Sequence, residues 1–539
     1  MNKSLIIVLS CVLLGLSACK KDNSEYRTIT PEVLKDKIAG GWAGKMIGVT
    51  YGAPTEFRAQ GTMYMDTIRW VPADIKGSIW QDDLYVQLTF LMAMDQYGVD
   101  APAKKFQEML ARAGYPLWHA NVQARKNYYD SIFPPESGRP EYNFHADDID
   151  FQIESDYIGF MCPGLHRQAF DLCDKIGHIM NYGDGLYGGI FIAALYSEAF
   201  FRSDIPAIIE NALKTIPAES DYAKIVRDVV LLHNQYPTDW MLAWHELETK
   251  WGDVDICGAG GTFNIDAKLN GAYIVMGLLY GEGDPLKTLE ISTRCGQDSD
   301  CNPSNAMAVL GVIRGFSNLP DDMKSGITAI GDSTFINTNY TFNKAVESTF
   351  AYALDFIRKA GGEADDSRIR IKIQAPVAPL PEESFPDLVF SHRVSVFDAG
   401  AWKFKGNWQT FLVTPWEQKE QKPQSRFAGK AGDELELAFT GTGITLMGNW
   451  VRNGGKADVY IDGKLHSTID SYFFYGNQEH YDINLWHVLN LQPGDHVVRL
   501  AVRGEKRPES SGTGVYVSEA LVFKTEPKKS DAYKFSFER

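Results

Sequence analysis

Apolar residues recur at three- and four-residue spacing through the first two thirds of the chain, and that period predicts helices. In "DLYVQLTFLMAMDQYG" the spacing puts Leu84, Leu88, Leu91 and Met92 on one face. "GGIFIAALYSEAFF" and "NAMAVLGVIRGF" are apolar on nearly every side, as fully buried helices are. Upstream, Thr30 suits an N-cap and Pro31 a first helical position. Gly40, Gly44, Gly48 and Gly52 then place small residues on one helical face, where another helix can approach closely. Residues from about 30 to 365 therefore predict a compact, mostly helical domain.

The pattern changes at "SRIRIKIQAPVAPLPEESFPDL", where short alternation gives way to a proline-rich stretch. Beyond it, "ELELAF", "GITLMG", "ADVYIDG" and "HVVRLAVRG" read as short strands separated by turns such as "NGG", "DGK" and "PGD", which predicts a β-sandwich. The expected fold class is multidomain: an all-α helical bundle followed by a C-terminal β-sandwich. The expected divisions are a signal peptide over 1–18, a tether over 19–28, a helical domain over 29–367, a linker over 368–387, a sandwich over 388–526 and a tail over 527–539.

Composition narrows the function. A chain of 539 residues, 44% hydrophobic, has room for more than one core. Its formal charge of -16 argues against nucleic acid or an anionic membrane face as partner, since both demand clustered Lys and Arg. Small molecules and neutral polymers remain. At the N-terminus, Lys3, the apolar run over 5–16 and "LSAC" resemble a bacterial lipobox. That resemblance implies cleavage before Cys19, lipidation of Cys19 and an exported protein, periplasm-facing or on the cell surface of an outer membrane. Membrane contact would then run through the lipid anchor alone; the alternative is an ordinary secretory peptide. Cys162, Cys173, Cys257, Cys295 and Cys301 remain, with no CxxC pair, so neither a disulfide framework nor a zinc ribbon is expected.

The chemistry-bearing residues are carboxylates. Asp82 and Asp83 precede one apolar helix in "SIWQDDLYVQLTF", and Asp298 and Asp300 precede another in "RCGQDSDCNPSNAMAVLG". Each cluster alone reads as a helix cap. Together, four carboxylates in one place would be costly to hold without a cation, and oxygen donors suit Mg²⁺. A further acidic run contains Asp147, Asp148, Asp150, Glu154 and Asp156. The first three read as a solvated face. Glu154 and Asp156 sit among apolar Phe151, Ile153, Tyr157 and Ile158, surroundings that raise a carboxyl pKa toward the range of a general acid. In "NYGDGLYGG", Gly183, Gly185 and Gly188 spell GxGxxG, but no strand precedes them, so a dinucleotide fold is rejected. Those glycines would let the backbone approach a ligand or a neighbouring helix. His145 and His245 read as structural, and no HExxH occurs.

"GGWAGKMIGVTYGAPTEF", "QDDLYVQLTFL", "NYGDGLYGG" and "RCGQDSDCNPSNAMAVLGVIRG", in that order over roughly residues 30–330, resemble the ADP-ribosylglycohydrolase family. The resemblance implies an all-helical bundle with a two-magnesium centre that binds a ribose-type sugar and assists cleavage at C1. Matched by position, Asp82, Asp83, Asp298 and Asp300 would be the metal ligands, and Glu56 a family acid near the substrate. Glu56, Glu154, Asp156 and Asp184 are then the catalytic candidates, and Asn181, Gly183, Gly185 and Gly188 the substrate-binding ones. Gln81, Leu84 and Cys301 stand where the family favours hydroxyl residues, which leaves fewer hard donors for a second ion; Asp184 replaces a family Asn. One or two Mg²⁺ ions are expected.

The sandwich carries Trp402, Trp408, Trp416, Trp450 and Trp486, and "GTGITLMG" with "ADVYIDGK" resembles galactose-binding-like domains. The resemblance implies an accessory carbohydrate-binding module; the alternative is that these aromatics fill the core. The expectation is an exported, metal-assisted glycoside hydrolase acting on a glycan or furanoside. Two other readings stand beside it: an ADP-ribosyl hydrolase acting on modified protein or nucleotide, and a non-catalytic glycan-binding lipoprotein.

Overall fold

The computed structural model describes residues 25–252, 255–414 and 419–526. Cys19, the signal segment, Trp416 and the predicted tail lie outside the described residues. Helices fill the chain from Pro31–Gly52 to Phe342–Lys359, as the apolar period predicts. The glycine stripe has the role its spacing suggests. A Cβ on Gly40, Gly44, Gly48 or Gly52 would collide with backbone of Gly311, Met307, Pro303 or Ser299, so the Pro31–Gly52 helix lies directly against Cys301–Arg314. Thr30 caps its start, accepting from the Val33 amide at 3.3 Å.

Two segments predicted as tether and linker are built into the helical domain. Tyr26–Ile29 pairs with Ile369–Lys372, which also pairs with Glu363–Ala364. The alternation in "IRIK" buries Ile369 and Ile371, and this small sheet ties the two ends of the domain together. The proline-rich segment runs along the bundle. Glu382 meets the Tyr187 hydroxyl through its backbone, and Ser384 donates to Asp147.

The C-terminal region is a sandwich of two antiparallel sheets. One runs Lys464–Asp470, Lys456–Ile461, Gly494–Val502, Glu434–Gly441, Trp402–Lys405. The other runs His480–Val488, Gly443–Trp450, Val515–Thr525, Lys422–Ala428, Gln409–Val413, with Leu388–Ser395 also on Val515–Thr525. Trp402, Trp450 and Trp486 are buried, in agreement with the core-filling alternative for those positions. The sandwich docks on the bundle. Tyr475 stacks on Tyr129 at 3.6 Å between centroids, Arg507 binds Asp130 at 2.6 Å, and Phe144 packs among Phe523, Phe385 and His487. The five described cysteines are free, and among the described residues no helix is long and apolar enough to cross a membrane.

Candidate metal centre

The close contact between Pro31–Gly52 and Cys301–Arg314 brings two distant loops together. Gly296 and Gln297 both have positive φ, 84° and 55°, and this turn lets Gln297 exchange backbone hydrogen bonds with Phe57 and Ala59. Its side chain also accepts from the Asn264 amide at 3.0 Å and donates to the Thr262 carbonyl at 3.0 Å. The loop after the first helix, which carries Glu56, is thereby held against the loop that carries Asp298 and Asp300.

The Asp82–Tyr97 helix delivers the other pair. Asp300 is an N-cap, accepting from the Cys301 amide at 2.9 Å, so the capping reading of that residue holds at one of its oxygens. Asp82 similarly accepts from the Asp83 amide at 3.2 Å. The Cys301 thiol donates to Asp83 Oδ2 at 2.9 Å and so joins the two aspartate pairs. Capping does not account for Asp298, whose buried Oδ1 has no hydrogen-bond partner. Asp298, Asp300 and Cys301 present ligand atoms within 4.8 Å of one another.

The electrostatics follow from that crowding. Burial, then the Asp83 charge, pushes the Asp82 carboxyl up to about 6. Burial pushes Asp298 up to about 7, with Glu56 and Asp83 adding to it. Asp300 is raised well above the carboxylate range by burial and Asp298. Glu56, exposed at the mouth of the cluster, is pushed up to about 9, chiefly by the Asp300 charge and then by desolvation, Asp82 and Asp83. The ammonium beneath is Lys45, fully buried and bound to Asp83 at 2.9 Å and Asp156 at 3.0 Å. Burial works against its charge, but Asp156 and Asp83 together outweigh that and raise its pKa. An unpartnered buried oxygen of Asp298 beside Asp300 offers oxygen donors of the kind a divalent cation takes, and Cys301 connects that pair to Asp83.

The other candidates divide. Glu154 is buried behind this cluster; it accepts from Asn121 Nδ2 at 2.5 Å while its Oε2 is unpartnered, and burial and Asp150 raise it well above the usual range. Asp156 is not a free acid. It is fixed by Lys45, by the Tyr196 hydroxyl at 2.5 Å and by Asn305 Nδ2 at 3.1 Å. Asp184 faces away, capping Asp221–Gln235 through the Tyr222 amide at 3.0 Å and lying 3.8 Å from Lys268. Asn181 is consumed by backbone, accepting from Phe151 at 2.9 Å and donating to Ala146 and Asp148. The three glycines pack closely: a Cβ would meet Ser384 at Gly183, Ala146 at Gly185 and Gln152 at Gly188. Asn181 and these glycines are therefore corrected from ligand contacts to packing positions.

Sequence reasoning missed Lys45, Asp150, and His119 with His145. Lys45 carries a signal in retrospect, since it interrupts a glycine-rich helix that is otherwise buried and a buried ammonium requires anionic partners. Asp150 is not part of a solvated face; it is buried and accepts from the Ala120 and Asn121 amides at 3.2 and 2.9 Å. Asp147 and Asp148 are likewise turned inward: Asp148 is buried, and Asp147 is bonded to Ser384. His145 does bond Asp148, as a structural histidine would, but His119 shares that carboxylate.

The sequence pattern of the family described as ADP-ribosylglycohydrolase matches residues 30–348. No curated protein matches the chain. Among solved structures, an "ADP-ribosylglycohydrolase-related protein complex" is similar at 14% identity over 60% of this chain and 98% of its own, with a TM-score of 0.41. A CBM36-1 domain of a multidomain xylanase from the hindgut metagenome of Trinervitermes trinervoides is similar at 15% identity over 24% of this chain and 94% of its own, with a TM-score of 0.16. A family 35 carbohydrate binding module from an environmental isolate is similar at 11% identity over 25% of this chain and 93% of its own, with a TM-score of 0.17.

Proposed function

The chain belongs to the ADP-ribosylglycohydrolase family and is a hydrolase of that fold acting on glycosyl-type bonds; from that premise we propose an exported, metal-assisted glycoside hydrolase whose substrate is a glycan or furanoside. The observation that supports it is the unpartnered Asp298 oxygen at the junction of two aspartate pairs, with Glu56 at the mouth. Asp82, Asp83, Asp298 and Asp300 would hold Mg²⁺. When bound, the cation would orient sugar hydroxyls and supply a positive charge close to the anomeric carbon. Glu56 reaches solvent beside these carboxylates and is the group best sited to move a proton between substrate and water. Glu154 is buried, accepts from Asn121 and is raised well above the usual range by burial and Asp150. Lys45 fixes Asp83 from below, so that one oxygen is committed to the ammonium and the other faces Cys301.

Export and lipidation at Cys19 belong to the same proposal and explain why a glycan is favoured over intracellular ADP-ribose. The sandwich supplies a supporting feature: a cavity of about 360 Å³ bordered by Phe411, Tyr481, Tyr516, Arg452, Asn453 and Glu479, a mixture of rings and polar groups suited to a sugar. Incubation of the full chain with Mg²⁺ against furanosides, glycans and an ADP-ribosylated peptide tests the reading. Sugar release by the wild type and none by Glu56→Gln supports it. Release of ADP-ribose alone favours the second reading, which the family description itself suggests. No turnover on any of the three, with glycan binding retained, would overturn both.

A further inference from the structure

His119, His145 and Asp148 stand outside the aspartate centre and outside the acid–base set. His145 Nδ1 lies 2.8 Å from Asp148 Oδ2, and His119 Nδ1 lies 3.5 Å from the same oxygen. Three ligand atoms of the imidazole and carboxylate type thus converge on one point. Metal bonds of about 2.0–2.1 Å at a tetrahedral angle hold ligand atoms about 3.3 Å apart, close to these separations. Asp148 is 1% exposed, His145 15% and His119 28%, so the group is walled on the carboxylate side and open on the imidazole side.

Burial pushes His119 down to about 4, and with His119 and His487 it lowers His145 well below its ordinary value. Asp148 is raised well above the carboxylate range by burial and by Asp255, Asp150 and Asp266. His119 has φ +45°, in the left-handed region. The overlapping group of Asp148, Asp255 and Cys257 is already satisfied. Asp255 accepts amides of Cys257, Gly258 and Ile265 at 2.7–2.9 Å, and Cys257 Sγ donates to the Phe144 carbonyl.

We propose that His119, His145 and Asp148 form a second cation site, selective for a borderline first-row divalent metal such as Zn²⁺ over Mg²⁺, with an open position facing solvent. Imidazole donors favour Zn²⁺, whereas the aspartate centre suits a hard cation. The two sites are linked through aromatic packing. Phe263 stacks on His119 at 5.8 Å and packs at 5.0 Å on Phe57, the residue after Glu56. Asp150, whose carboxyl is raised to about 7 by burial with Asp82 among its neighbours, bonds the amides that follow His119.

The test is calorimetric titration of Zn²⁺ into the chelator-treated full chain with Mg²⁺ in excess, comparing wild type, His119→Gly, and Asp298→Ala with Asp300→Ala. Glycine suits the left-handed backbone, so His119→Gly removes the ligand without adding backbone strain. Zinc affinity reduced at least about tenfold in His119→Gly and unchanged in the double variant is the expected result. An unchanged isotherm in His119→Gly, or zinc binding lost only in the double variant, would overturn the proposal. Co²⁺ absorption provides a second reading: ligand-field bands that change in His145→Gln support the site, and bands identical to wild type contradict it.

Discussion

Asp147, Asp184 and Asp266 gather around Lys268, while Asp82, Asp83, Asp298 and Asp300 gather above Lys45. The first group is hydrogen-bonded from within. Lys268 Nζ bonds Asp266 and lies 3.8 Å from both Asp147 and Asp184, and the same carboxylates accept the Lys268 and Tyr222 amides and the Ser384 hydroxyl. The second group is not. Lys45 is shared between Asp83 and Asp156, and Asp298 keeps a buried oxygen without a partner. Acidic density alone therefore does not mark a metal centre; what distinguishes it is a buried carboxylate oxygen that the protein leaves without a partner.

The largest effects should come from removing the lysines. Lys45→Met and Lys268→Met each strand buried carboxylates and should destabilise the fold by about 3–5 kcal/mol in denaturant titrations. Only Lys45→Met should also change Mg²⁺ affinity, because the Lys45 ammonium contacts Asp83 whereas Lys268 contacts none of these four aspartates. An equal change of Mg²⁺ affinity in both would erase the distinction.

A smaller effect is expected from pH. In the metal-free protein Asp82 sits at about 6, Asp298 at about 7 and Glu56 at about 9, against ordinary values of 3.8 for Asp and 4.5 for Glu. The folded chain then retains protons that the unfolded chain has released, so stability falls as pH rises from about 5 to about 8. Thermal melts should show a midpoint falling by several degrees without metal and a smaller fall with Mg²⁺, since Asp147, Asp150, Asp184 and Asp266 are raised too and stand outside the centre. A flat profile in both conditions would remove the electrostatic argument.

The smallest effect concerns Cys301, whose thiol bonds Asp83. Cys301→Ser substitutes a hard oxygen for a soft sulfur and should tighten Mg²⁺ binding by about threefold while weakening Cd²⁺. The same shift for both ions would show that sulfur takes no part.

Local features were the legible ones. The four-residue glycine repeat predicts the helix contact, and the Asp pairs declare themselves by standing before apolar helices. Contacts between distant positions were not legible. Asp156 has apolar sequence neighbours on either side, which is why it reads as a raised acid, yet its partner is Lys45 from another helix. Asp184 reads as a loop residue facing ligand, but it caps a helix that begins at Asp221. The alternation in "IRIK" marks a strand without revealing that its mate is Tyr26–Ile29 at the other end of the domain. His119 and His145 are 26 positions apart by number and share Asp148 only because Asp150 pins the start of His119–Tyr129 to its own loop.

The most direct measurement is calorimetric titration of Mg²⁺ into the chelator-treated full chain and into Asp298→Ala with Asp300→Ala. Saturable binding in the wild type, weakened by more than about a hundredfold in the variant, is the predicted result. Equal binding in the two proteins, or none in either, would contradict the assignment of these aspartates to a metal and leave them as helix caps.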